Sequence, residues 1–317
     1  MESVERPASW KILLAFAIIY FVWGSTYLAI RVGVHEVPPF LLAAIRFLVS
    51  GVVLYGWMRM KGTPSPTLRQ WAAATLLGAL IFLVDYGCLF WAEQKVPSGI
   101  AAVVLATIPV FITLFEITFL RTQRLTVRLG LALLLGLGGV AVLTGQSLSF
   151  GEVPISRAGA LALLVAAFTW SVATILTRRL KLPESKPMSA AAQMIAGGVQ
   201  LMVLSALSGE FVGFRMQTVS WNAWFALAYL IVAGSIAGFT AYVWLLHHES
   251  PTKVGTYAYV NPVVAVALGY FVGGEPVGPR TLVGALLILV SVITIATTPR
   301  KRPEPQKQSV LSIAEAD

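Results

Sequence analysis

Charged residues cut the chain into ten apolar segments, at roughly 12–30, 38–58, 70–92, 97–120, 129–149, 158–177, 187–208, 219–245, 252–274 and 281–298. At about 1.5 Å rise per residue, each is long enough to cross about 30 Å of hydrocarbon as a helix. The pattern predicts an all-α polytopic membrane protein with ten transmembrane helices. The first segment is longer than a signal-peptide core of about 7–15 residues, and no small-x-small site follows it before Arg31. It reads as a retained helix.

Composition sharpens this reading. The chain is 57% hydrophobic and 12% charged, whereas a soluble domain is about 25% charged. A water-soluble enzyme would lack the polar surface it needs. The net charge of +9 comes from short basic clusters between apolar runs, so it reports topology, and no nucleic acid partner is expected. With the N-terminus inside, 17 Lys and Arg fall in inside segments, 5 in outside loops, and Arg46 within a helix. Both termini are therefore expected in the cytoplasm: 1–11 as a short N-terminal segment, and 299–317 as a polar, disordered tail. Cys88 is the single cysteine and the three histidines are scattered. Neither an internal disulfide, a metal site nor a cofactor is expected. No G-x-x-x-x-G-K-[ST] loop occurs, which excludes ATP hydrolysis by a P-loop. An intramembrane enzyme would need a converging catalytic constellation, and none is apparent.

An internal repeat carries the most information. Trp23 and Arg31 align with Trp170 and Arg178, and AAIRFLVSG (43–51) aligns with the AAAQMIAGG run that starts at Ala190. Trp71 aligns with Trp221, Pro97 with Pro251, and Pro109 with Pro262. Five helices per repeat is an odd number, so the second copy enters the membrane from the opposite face. Inverted five-helix halves are a common transporter architecture, with the substrate site at the midplane between them.

The motifs VWGSTYLAI (22–30), AAIRFL (43–48), AEQKVPSGIAAVV (92–104) with Pro109, and TYAYVNPVVAVALG (256–269) followed by GGE (273–275) carry a family likeness. They resemble the EamA-type transporters of the drug/metabolite transporter superfamily, in particular the YedA-like inner-membrane branch. The resemblance covers residues 12 to about 298. It implies two EamA repeats, 12–149 and 158–298, and export of small metabolites, amino acids or drugs. Members often carry Gly-Glu after both helix four and helix nine. Here Gly274-Glu275 is present, while the first half reads LRTQRL (120–125). The expected partners are a small-molecule substrate and the bilayer, with a homodimer left open. The alternative function is a lipid or lipid-linked sugar flippase.

Six residues are the candidates for a substrate site between the halves: Trp23, Arg46, Asp85, Pro109, Trp170 and Pro262. Pro109 and Pro262 each remove a backbone hydrogen bond at mid-span, freeing the carbonyls of Leu105 and Ala258. They act as hinges or site-lining breaks, or are incidental kinks. Trp23 and Trp170 lie deeper than an interfacial belt, and each indole N–H needs a partner in a cavity wall or a helix contact. Arg46, Asp85 and Glu116 are the ionisable groups placed well inside spans. An unpaired charge at mid-bilayer costs about 2.5–3.5 kcal/mol. Arg46 and Asp85 differ in depth by about 4 Å on adjacent antiparallel helices, so either they pair or Asp85 couples protons. Their repeat counterparts are Gln193 and Ser235. Glu116 is expected to be structural or interfacial. Glu93, Gln94 and Lys95 read as a gate or as a solvated helix end. Gly234-x-x-x-Gly238 and Gly269-x-x-x-Gly273 are expected to let helices approach closely.

Overall fold

Every regular element among the described residues is helical. The computed structural model describes residues 8–120, 125–144, 156–177, 179–248 and 257–297. The tail 299–317, most of the 150–156 loop and 121–124 of the LRTQRL segment lie outside the described residues.

Seven helices are long and apolar enough to cross a membrane. They are α1 (Ser9–Val34), α2 (Pro39–Met60), α3 (Leu68–Glu93), α4 (Ser98–Thr118), then α6 (Arg157–Thr177), α7 (Lys186–Leu207) and α8 (Trp221–Tyr242, continuing to His248). Among the described residues there are also three shorter apolar helices: α5 (Val127–Thr144), α9 (Tyr257–Phe271) and α10 (Pro279–Ala296). Their starts follow local chemistry. Proline sits in the first turn of α2, α7 and α10, where its missing N–H is no loss. Thr67 and Gln70 form a capping box on α3, and Ser185 and Ser220 cap α7 and α8. Large apolar side chains such as Phe21, Val52, Leu134, Leu161, Phe225 and Leu286 point outward. Such a surface suits lipid, not water.

Three pairs of helices that align in the two repeats pack against each other: α2 with α7, α4 with α9 and α5 with α10. Close approach occurs at Gly51 and Gly198 between α2 and α7, at Gly99 between α4 and α9, and at Gly136 and Gly139 between α5 and α10. A Cβ on Gly51 would come within 2.9 Å of Ile195, and one on Gly139 within 2.9 Å of the Gly284 carbonyl. The halves also interleave, since α1 packs against α8 and α9 while α6 packs against α3 and α4. The interior is therefore a seam between repeats and not two separate cores.

The fourth segment departs from the single helix expected. It is two helices, Ser98–Leu105 and Ile108–Thr118, with Pro109 in the first turn of the second. α9, by contrast, runs unbroken through Pro262.

Candidate functional site

Three stretches of π-helix interrupt the long helices around the candidate site residues: Ile18–Val22 in α1, Ala79–Tyr86 in α3 and Leu230–Ala237 in α8. A π-turn widens the helix and offsets its hydrogen-bond ladder, so carbonyls become available to outside donors, and such turns often occur at functional sites. The stretches in α3 and α8 hold Asp85 and Ser235, which align in the repeat. Two of the three receive a donor from the other half. The Trp23 indole N–H donates to the Gly234 carbonyl at 3.0 Å. The Asn261 amide, oriented to donate, lies 3.1–3.3 Å from the carbonyls of Tyr20, Tyr257 and Ile19. Asn261 carried no signal beyond its place before Pro262, and its role emerges only from the fold.

Arg46 is 1% exposed. Its Nε–H donates to the Ser235 hydroxyl at 3.0 Å, across the seam from α2 to α8. The guanidinium lies over the rings of Phe47, Tyr86 and Phe90, with its carbon 4.8, 5.3 and 5.9 Å from the centroids. Cation–π contacts of this kind stabilise a desolvated cation by about 2 kcal/mol. Of the two readings left open for Arg46 and Asp85, the direct pair does not form. Phe47 meets Phe82 and Tyr86 of α3, with centroids 4.6 and 4.7 Å apart. The guanidinium meets α3 through the Tyr86 and Phe90 rings and its Nε turns to Ser235 of α8, so aromatic faces and a hydroxyl take the place of the carboxylate.

Asp85 and Glu93 are both buried on α3, at 3% and 0% exposure. Asp85 Oδ1 and both carboxyl oxygens of Glu93 have no hydrogen-bond partner. The Glu93–Gln94–Lys95 group thus splits. Gln94 and Lys95 are a solvated helix end, Lys95 lying 3.5 Å above the Trp91 ring, while Glu93 faces the interior. Its place beside two polar residues hid this in the sequence.

At the end of the bundle that the charge count places outside, Arg31 ties several elements together. Its Nε is 3.1 Å from Glu275 Oε1, and its Nη1 donates to the carbonyls of Glu93 and Val96 at 2.9 and 2.7 Å. Glu275 in turn accepts from the Ser98 and Gly99 backbone N–H groups at 2.8 and 3.2 Å, capping α4. Two more carboxylates cap helices of the opposite half. Glu210 accepts from Phe40 and Leu41 at the start of α2, and Glu36 accepts from Ser220 at the start of α8. Hydrogen bonds from the Ser220 hydroxyl and N–H hold the Glu36 carboxyl below its ordinary range.

Toward the other end, Trp23 packs edge-on to Phe239 and Tyr257 and beside Tyr242, with centroids 5.1–5.6 Å away. Gly238 leaves room for its indole, and Gly234 leaves room for Arg46, whose Nη2 would be 3.2 Å from an added Cβ. Gly269 does the same for Glu275. These glycines seat polar side chains, a use beyond the helix packing expected of them. Trp170 touches Tyr86 edge-on at 6.2 Å. Pro109 is more remote, and the adjoining Ile108 carbonyl accepts from Ser171 of α6 at 3.1 Å. Pro262 is buried beside Asn261. Among the described residues no group of three His, Cys, Asp or Glu side chains could hold a metal ion.

A model described as the EamA-like transporter family matches this chain twice, over residues 9–145 and 157–297. The inner membrane transporter YedA of Escherichia coli (strain K12) is 37% identical over 283 residues, 89% of each chain. A Salmonella typhimurium protein named "Probable amino-acid metabolite efflux pump" is 25% identical over 285 residues, covering 87% of this chain and 91% of that one. A crystal structure 24% identical in sequence superposes with a TM-score of 0.62 over 90% of this chain and 97% of that chain, a likeness of fold.

Proposed function

Because this chain belongs to the EamA-like transporter family, we propose that it moves small metabolites, amino acids or related compounds or drugs, across the cytoplasmic membrane by alternating access. The ten apolar helices act as two inverted five-helix halves, 12–149 and 158–298, and the substrate binds on the seam between them. Trp23, Arg46, Asp85 and Trp170 line that site, and Pro109 and Pro262 let α4 and α9 bend around it.

The observation that carries this reading is Arg46. A guanidinium buried at mid-bilayer is expensive to insert, and this one is held by contacts to both halves. A charge kept on the moving seam suits a polar solute that crosses there. Closure by Arg31 and Glu275 supports a state sealed at the outer end.

Efflux of a radiolabelled metabolite panel from proteoliposomes, with and without a pH gradient, tests the function. A panel in which no compound leaves faster than from protein-free vesicles would overturn it. A fluorescent lipid scrambled by the same vesicles would favour the flippase. For topology, cysteine in the 150–156 loop should label from outside with an impermeant maleimide, and cysteine beside Lys61 should not.

A further inference from the structure

Five ionisable side chains gather in the interior between the seam and the outer end: Arg31, Arg46, Asp85, Glu93 and Glu275. Two cations meet three carboxyl groups. Charges withdrawn from water are either paired or neutralised, so one carboxyl in this set should hold a proton. Glu275 is paired with Arg31 at 3.1 Å. Glu93 leaves both carboxyl oxygens without a hydrogen bond and is within electrostatic reach of Glu275, but also of both Arg31 and Arg46. Asp85 has no cation paired with it among the described residues, is 3% exposed, and leaves Oδ1 without a hydrogen bond.

The groups around Asp85 agree. Tyr27, Tyr86, Cys88 and Tyr257 are in electrostatic reach of it, and phenols and thiols are neutral near neutral pH. The helices packed against its π-helical stretch, α6 and α7, carry only Arg157 and Lys186, both in their first turns. α2 supplies Arg46, whose Nε is engaged by Ser235.

We infer that Asp85 is a proton-binding site and, resting on the transporter reading above, that its proton is released and regained in each cycle. On release the O–H bond breaks, its electron pair stays on the carboxylate, and the proton passes to water on the side then facing the site. The carboxylate left behind needs a cation. Arg46, with Nη1 unpartnered, lies over the ring of Tyr86, the residue next to Asp85. Loss of the proton would draw Arg46 from Ser235 toward Asp85, loosening a tie between the halves.

Infrared difference spectra of the purified full chain, taken between neutral and alkaline pH, test the site without any substrate. The wild type should lose a protonated-carboxyl carbonyl band that is missing in Asp85→Asn and shifted in Asp85→Glu. A wild type with no titrating band, or a band that survives in Asp85→Asn, would overturn the proposal. If Asp85→Asn does not fold, an unshifted band in Asp85→Glu does the same. In proteoliposomes, Asp85→Asn should abolish the acceleration of efflux by a pH gradient, and a full response would overturn the coupling. A titrating Asp85 in a chain that moves no panel compound would support the site and overturn the transporter reading.

Discussion

Arg46 of the first repeat donates its Nε–H at 3.0 Å to Ser235 of the second, the residue aligned with Asp85 of the first. The cation of one half therefore binds the position where its own half carries a carboxyl. This exchange follows from interleaving, since α2 reaches the π-helical stretch of α8. It links the two units that alternating access would move.

Ser235→Ala should remove the side-chain acceptor of a buried cation and cost about 1.5–3 kcal/mol, as hydrogen bonds to charged groups do. Reduced thermal stability in detergent checks it. In the Arg46→Met background the same substitution should add little. At neutral pH, Arg46→Met and Asp85→Leu should be additive. Recovery of folded yield in the double variant would instead reveal a direct pair.

Glu275→Gln should loosen the end of the bundle where Arg31 meets Glu275, because it removes the charge that holds Arg31 and caps α4. In a Cys88→Ser background, Ser98→Cys should then label about tenfold faster with an impermeant maleimide, the equivalent of about 1.4 kcal/mol. An unchanged rate would show that access at this end does not depend on the ion pair.

Pro109→Ala should impair transport per molecule at normal membrane abundance. The alanine restores an N–H that can reach the Leu105 carbonyl and bridge the break at Ala106–Thr107, rigidifying α4. Pro262→Ala should have the smaller effect, since α9 is already continuous there. Efflux rates normalised to protein in the vesicles decide both.

Glu36 sets an acid limit. Its carboxyl is held below the ordinary value of 4.5, so the folded state binds fewer protons there than the unfolded one. The contribution is complete above about 4.5 and is lost as pH falls through the lower folded value. Thermal unfolding between neutral and acid pH should show Glu36→Gln less stable than wild type near neutrality. The two curves should converge below that range.

The architecture was largely legible in the sequence for a physical reason. Hydrocarbon demands about 20 apolar residues per crossing and internal satisfaction of every backbone group, a constraint written locally along the chain. The same expense made Arg46 and Asp85 conspicuous, and the depth of Trp23 pointed to an indole that needed a partner. Glu93 was legible only as part of a gate or a solvated helix end, because a helix-end position carries no record of which way the side chain turns. Pro109 and Pro262 align in sequence, yet α4 breaks and α9 does not.

Partners were a different matter. The acceptors of Trp23 and Arg46, the Gly234 carbonyl and the Ser235 hydroxyl, lie 211 and 189 residues away, and hydrophobic periodicity holds no information over such spans. Sequence by itself determined which groups had to be satisfied inside the membrane. Only the packing of one repeat against the other decided by whom, because π-helical carbonyls and buried hydroxyls meet their donors across the seam and not along the chain.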